Sequence, residues 1–575
     1  MHYAVSPLKK RLHIPQNARK FTPFFNCTLG LVFLLMSGVL WANGSNSQQK
    51  VTVLFTNDVH GGIVPTKAEF LNPEFPPYLG GGGSAVTIIN EVRSQAEKAG
   101  TAVLLLDAGD VYQGTLVGTK SKGQAVIEYM NMAGYDAVTV GNHEFDLGKE
   151  VFMAMVDASQ FPWVACNIYD KETGDHWEYV KPSVIVEKAG LKIGIIGAAT
   201  VGTQAMSFPE NIRGLEFRNE IVEVQKEVDR IRDRVDLVMV LAHIGLSYDR
   251  EEGYRELRER SKEEAIEKGR VSGMELAHYV NGIDVMLSGH IHRGYDQPWV
   301  DPKTHTICLQ NYGNGGNLGW LDLEVDRATR TIAGYSTPAD ESTLLLLTQD
   351  QFWPDSTVDA FLKKQQEVYE AGFREVLGTT QTALTRSSIG EGTMNNFITD
   401  ILRQRAQADA AFMNYGGLRA DLRAGPLTRE DVFKVLPFGN EIVAFQCSGK
   451  FLKMIIEAKL YGSARGMTTS GMEIVFNPNL PTGQRVVSLT VNGEPLDPEK
   501  TYRVATNDYL MEGNSGLMLL RRIPENMVVR TGIRLADAVA EYIQDNSPFS
   551  VAIDGRWKRD ESAQPSAEWL EKFGQ

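Results

Sequence analysis

The chain has 575 residues, a formal net charge of −14, and an ordinary balance of 43% hydrophobic and 23% charged residues. That length exceeds one compact domain, so two or three are expected. The acidity excludes a broad nucleic-acid surface and predicts no nucleic-acid partner, but it leaves room for one small phosphorylated substrate neutralised by cations.

The N-terminus carries Lys9, Lys10, Arg11, Arg19 and Lys20 with no acid, then an apolar run from Leu29 to Val39, then small residues at Ala42 and Gly44. This is the layout of an export signal. The run is shorter than the ~20 apolar residues of a spanning helix. Residues 1–44 are therefore assigned to a cleaved signal in preference to an uncleaved anchor, which predicts a periplasmic or secreted mature protein without a membrane span. Cys27, Cys166, Cys308 and Cys447 are far apart and out of metal-binding spacing; they read as buried thiols, not a disulfide framework.

Val51 to Thr56 reads as a buried strand running into Asn57-Asp58-Val59-His60-Gly61. Asp58 and His60, two apart on an extended end, point the same way and can reach one cation. Gly80 to Gly83 precedes an amphipathic helix, Ala85 to Arg93, and reads as a turn more readily than as a phosphate cradle. Ala102 to Leu106 is a second strand, ending in Asp107-Ala108-Gly109-Asp110 and then Gln113-Gly114. The third, Val138 to Val140, delivers Gly141, Asn142, His143 and Asp146 together, a metal ligand beside an acid/base group. Ile193 to Ile196 is a fourth strand with no evident chemistry. Asp236 to Leu241 ends in Ala242-His243, and Asp284 to Leu287 ends in Gly289-His290-Ile291-His292.

Strands alternating with helical stretches imply a sheet with helices on its faces and a site outside the carboxyl ends of the strands. Any one histidine here is more readily a core or surface residue. Seven candidate ligands at successive strand ends are another matter: Asp58, His60, Asp110, Asn142, His243, His290 and His292. Mixed oxygen and nitrogen donors suit Zn, Mn, Co or similar divalent ions, and seven exceed one tetrahedral site.

The order Asp-x-His, Gly-Asp-x-x-Gln-Gly, Gly-Asn-His-Glu-Phe-Asp, His, Gly-His-x-His resembles the calcineurin-like metallophosphoesterases over residues 51–325. The resemblance implies a four-layer α/β sandwich with two divalent ions. One ion takes Asp58, His60, Asp110 and His292; the other takes Asp110, Asn142, His243 and His290. Asp110 bridges them, and His143, oriented by Asp146, would stabilise the transition state or protonate the leaving group.

Ser336 to Asp350 is polar and without period, a plausible boundary. Val358, Phe361, Leu362, Val368, Tyr369, Phe373 and Val376 then recur at helical spacing, which predicts a long helix over 356–377 that joins two domains or, nearly as readily, packs wholly in one. Met394 to Gln407 reads as a helix and Ala410 to Met413 as a strand. Asn414-Tyr415-Gly416-Gly417-Leu418-Arg419, Leu436-Pro437-Phe438-Gly439-Asn440-Glu441 and Ala505-Thr506-Asn507-Asp508-Tyr509-Leu510 come next. Together these resemble the C-terminal domain of the secreted 5′-nucleotidases, a group that includes UDP-sugar hydrolases. They extend the likeness to about residues 51–555.

By that resemblance Asn414 and Arg419 contact a nucleotide, and Phe438 and Tyr509 sandwich its base. Two departures stand out. Gly513-Asn514-Ser515-Gly516 replaces the family's Gly-Gly-Asp-Gly, putting Ser515 at the ribose-binding position, and Arg386 is displaced from the family's arginine. The expected organisation is a signal (1–44), a metallophosphoesterase domain (45–345), a linker helix (346–378), a smaller α/β nucleotide-binding domain (379–560) and a polar tail (561–575). The expected activity is metal-dependent hydrolysis of nucleoside 5′-monophosphates. The alternatives are a 2′,3′-cyclic phosphodiesterase, a UDP-sugar hydrolase, a thiosulfohydrolase or a non-catalytic binding protein.

Overall fold

A computed structural model describes residues 48–573 apart from 69–70, 73, 268–270, 339–341 and 461–465. The signal assigned to residues 1–44, with Cys27, lies outside the described residues. Among the described residues, no helix is long and apolar enough to cross a membrane.

Two sheets stack face to face in the first domain. One runs Thr331–Ser336, Asn317–Asp326, Gln48–Thr56, Ala102–Asp107, Ala137–Thr139, Trp163–Val164, with Leu344–Leu346 added beside Asn317–Asp326. The other runs Trp299–Val300, Ile307–Gln310, Val285–Ser288, Leu237–His243, Leu191–Ala199, Ser183–Lys188. The central strands of each are parallel. They read as continuous apolar runs because both faces are covered.

The two-residue period still sorts side chains between layers. Val53, Phe55, Leu104 and Leu106 meet Ile193, Ile195, Met239 and Leu241 between the sheets. Leu54, Val103 and Leu105 face the outer helices of the first sheet, and Val238 and Val240 those of the second. The result is helix, sheet, sheet, helix. All six anticipated strands form, each within a few residues of the expected span.

The glycine run turns the chain and then packs. Gly80 and Gly81 take φ of 74° and 92°, and the helix Gly82–Ala99 follows. A Cβ on Gly82 would stand 2.1 Å from the Tyr129 ring.

The second domain has a five-stranded sheet, Thr468–Ser470, Ala410–Met413, Thr501–Asn507, Glu441–Ser448, Val528–Arg534, and a four-stranded one. Its cores gather around Thr393–Arg405 on one side and Gly449–Ala458 on the other. The parallel strands Ala410–Met413 and Thr501–Asn507 bring Asn414 and the Asp508–Met511 turn to neighbouring strand ends.

Two expectations are corrected. The helix predicted over 356–377 ends at Tyr369, and its buried Val358 and Leu362 join the first-domain core alone. Gly372 takes φ 81°, and Val376–Thr380 becomes a strand paired with Gly425–Thr428, so Phe373 and Val376 continued the helical spacing only by coincidence. Residues 561–575 are not merely a polar tail: Ala567–Phe573 is a helix whose Trp569 and Phe573 rings, 4.3 Å apart, pack on the second-domain core. Two aromatics on one face of a polar segment suffice to dock it. Cys166, Cys308 and Cys447 are buried free thiols.

Candidate metal centre

Five strand ends converge on one crevice: Asp58 and His60, Asp110, and Asn142 from the first sheet, His243 and then His290 and His292 from the second. At three of these ends the chain turns sharply at the ligand itself. Asp58, His60, Asp110, His290 and His292 all take left-handed backbone, with φ between 49° and 81°. Asp and His tolerate that region better than most residues, yet such conformations cost about 1–3 kcal/mol each and persist where the surroundings over-determine them.

The donors fall into two groups, Asp58, His60 and His292, and Asp110, His243 and His290. In the first, His292 Nε2 lies 2.9 Å from His60 Nε2 and 3.3 Å from Asp58 Oδ1. In the second, His243 Nε2 lies 3.0 Å from Asp110 Oδ2, and Asn142 Oδ1 lies 2.9 Å from His290 Nδ1. Asp110 Oδ2 is also 3.9 Å from His60 Nε2, so this carboxylate stands between the groups.

The tautomers test whether cations fit. His60 Nδ1 donates to the Gln113 carbonyl at 2.5 Å, which leaves a lone pair on its Nε2; His243 Nδ1 donates to that of Ala108 at 2.7 Å, and although burial opposes it Asp110 pushes this ring up to about 10, so a cation at its Nε2 would displace a proton. The buried His243 Nε2 has no well-directed hydrogen bond among the described residues although Asp110 is in contact. Lone pairs facing lone pairs and carboxylates form a donor set that suits divalent ions. Burial, reinforced by the charge of His292, holds His60 well below its ordinary pKa; burial and His243 bring His290 down to about 3. Burial alone would raise Asp58 and Asp110, but neighbouring imidazoles outweigh it and hold both below the carboxylate range.

Two supporting residues, Glu144 and Asn57, went unread in the sequence. Glu144, fully buried, accepts the backbone N–H groups of Asp110, Val111 and Gly141 at 3.0, 2.9 and 2.6 Å, tying two ligand loops together. Asp107 accepts from Gly109 N at 2.7 Å and Thr56 Oγ1 at 2.5 Å. Asn57 donates to Asp58 Oδ2 at 2.7 Å. The one available signal was an acid or amide inside a ligand motif. Gly141 is required by closeness: a Cβ there would stand 2.2 Å from Asp110 Oδ1.

His143 sits beside the donors on a short turn. Its Nδ1 pairs with Asp146 Oδ2 at 2.7 Å, and its backbone N–H donates to Asp110 Oδ1 at 2.8 Å. Burial opposes its charge, but Asp146 and Asp110 prevail and push its pKa up to about 9. The ring stacks on Phe438 of the second domain, centroids 5.5 Å apart and planes 12° apart. The Arg419 guanidinium lies 5.5 Å from the same Phe438 ring, within the field of Asp110 and Asp58.

The other predicted second-domain residues are dispersed, and of them only Ser515 lines the cleft. Asn414 Oδ1 is buried without a partner among the described residues. Tyr509 meets Phe208 of the first domain edge-on at 6.2 Å, and its hydroxyl faces Ser515. Ser515 takes φ 53°, and its carbonyl accepts from Lys459 Nζ at 2.8 Å. Arg386 is engaged by Asp421 at 2.8 Å and by the Leu418 carbonyl at 3.2 Å, so it braces the turn that carries Arg419. The cleft runs from His290 past Tyr248 and Ser515 to Lys450 and Lys453.

Residues 51–294 match the family described as calcineurin-like phosphoesterase, and residues 371–522 match the 5′-nucleotidase C-terminal domain. The chain is 26% identical over 525 residues to Protein UshA of Yersinia enterocolitica, covering 87% of this chain and 92% of the relative. It is 27% identical over 581 residues to the 5′-nucleotidase of Mus musculus, covering 92% and 93%. The crystal structure of a 5′-nucleotidase precursor from Thermus thermophilus superposes with a TM-score of 0.77 at 26% identity, covering 89% of this chain and 99% of that one. The chain belongs to the 5′-nucleotidase family, a calcineurin-like metallophosphoesterase domain followed by a 5′-nucleotidase C-terminal domain.

Proposed function

We propose that this protein hydrolyses nucleoside 5′-monophosphates to nucleoside and phosphate, outside the cytoplasm, with two divalent ions such as Zn, Mn or Co. One observation carries the reading: two candidate metal-binding groups lie side by side with Asp110 between them, and the second domain sets Phe438 on His143 and Arg419 beside that ring.

Asp58, His60, His292 and Asp110 would hold one ion, and Asp110, Asn142, His243 and His290 the other. When bound, such ions polarise phosphoryl oxygens and lower the pKa of a nearby water to about 7. The protein's own groups do the rest. Asp146 accepts a hydrogen bond from His143 Nδ1, which leaves Nε2 for the proton to be transferred. Asp146 favours the protonated form of His143, which can donate that proton to the leaving ribose oxygen. Arg419, set by Arg386 and Asp421, grips the phosphate. Phe438 and Tyr509 hold the base by stacking, worth about 1–3 kcal/mol per base, with Asn414 and Ser515 at its edges. The export reading is supported by the basic and apolar pattern of residues 1–44.

Phosphate release by the mature protein with Mn or Zn tests this, offered AMP, UDP-glucose, 2′,3′-cyclic AMP and an aryl phosphate. Preference for AMP is expected. Equal turnover of AMP and the aryl phosphate would refute nucleotide selection by the second domain, and inactivity of metal-replete protein would refute the enzyme reading.

A further inference from the structure

Gln113 closes the second strand-end motif, and none of the chemistry above uses its side chain. It is 2% exposed. Its backbone carbonyl accepts from His60 Nδ1. Its side chain faces the other way. Oε1 accepts from Thr119 Oγ1 at 3.1 Å, and Nε2 donates to the Pro437 carbonyl, in the second domain, at 3.1 Å.

The amide orientation follows from its partners. A flipped amide would set its oxygen against the Pro437 carbonyl, acceptor to acceptor. Pro437 has no N–H, so that carbonyl is its one backbone polar group, and a buried carbonyl requires a donor. The next residue is Phe438, whose ring covers His143. A single first-domain side chain thus pins the second-domain segment that lies over the acid/base histidine.

We propose that Gln113 is a positioning residue that latches Pro437 and Phe438 over His143, so that docking of the second domain and the readiness of the site rise together. Substrates that engage both domains gain from this; a small phosphate ester does not. The inference rests on the nucleotide reading for its substrate, but the latch itself is a structural claim.

The test uses the full mature protein with Gln113→Met, close in length and without a donor, and Gln113→Ala. Both keep the backbone carbonyl that orients His60. Hydrogen exchange of residues 436–440 is measured together with metal content and kcat/KM for AMP and an aryl phosphate. Exchange at 436–440 is expected to rise several-fold at unchanged metal content. The ratio of AMP to aryl-phosphate kcat/KM is expected to fall about five- to tenfold, the size of one hydrogen bond's net contribution. In a Phe438→Ala background, Gln113→Met should change that ratio no further. Unchanged exchange at 436–440 would overturn the latch. So would a joint fall in metal content and in both activities, which would mean that Gln113 acts through His60. Wild-type protein inert toward AMP but active on the aryl phosphate would sink the nucleotide reading alone, and the exchange measurement would still decide the latch.

Discussion

Glu220 opens the helix Glu220–Ile231 at full burial. Oε1 accepts from Val201 N at 2.7 Å, and Oε2 has no partner among the described residues. Burial outweighs that hydrogen bond and pushes the carboxyl from 4.5 up to about 7. A carboxyl whose pKa is higher folded than unfolded binds its proton more tightly in the native state. Its contribution to stability is therefore complete below about pH 4.5 and lost as pH rises through 7. A gap of that size corresponds to about 3 kcal/mol, at roughly 1.4 kcal/mol per unit. Glu220→Gln keeps an oxygen for Val201 and removes the ionisation; the neutral acid already leaves its second oxygen unpaired, so the amide replaces it at little cost. Urea unfolding of the first domain at matched ionic strength should find variant and wild type alike at pH 4.5 and the variant more stable by about 3 kcal/mol at pH 8. A variant less stable at pH 8, or a difference independent of pH, would refute the reasoning.

Three other outcomes are expected. Phe438→Ala should lower kcat/KM for AMP by the worth of one stacked base, about 5- to 150-fold, and spare the aryl phosphate; an equal loss on both would remove Phe438 from base recognition. His143→Ala should lower kcat about 10²–10⁴-fold at full metal content, with a smaller loss for Asp146→Asn. Elemental analysis alongside turnover checks this, and a normal rate in His143→Ala would end its role as acid. Chelation should lower the melting temperature of the first domain, and Mn at about 100 times its Kd should restore about 2.7 kcal/mol; a melting curve indifferent to chelator would contradict the metal site.

Much of the first domain was legible because a strand buried on both faces is written as an apolar run, and because the residues just past each run are polar and chemically specific. The structure brings Asp58, His60, Asp110, Asn142, His243, His290 and His292 to one crevice at the strand ends where the sequence set them. The left-handed backbone at five of these positions had no sequence mark, since Asp and His are there for their donors. Glu144 was illegible for a related reason: its partners are backbone N–H groups, which every residue except proline carries. The helix ending at Tyr369 shows the reverse failure, in which a helical period ran on through a turn and a strand. The stack of Phe438 on His143 joins two domains, and neither local pattern contains it.

The left-handed backbone at Asp58, His60, Asp110, His290 and His292 has a consequence for how this protein can change. Glycine is the residue that such a backbone favours, and glycine offers no donor. Folding and function therefore pull those five positions in opposite directions, a local trade-off between stability and activity. Drift at any one of them gains conformational ease as it loses chemistry, so a lineage released from selection on hydrolysis could shed the centre and keep the fold intact.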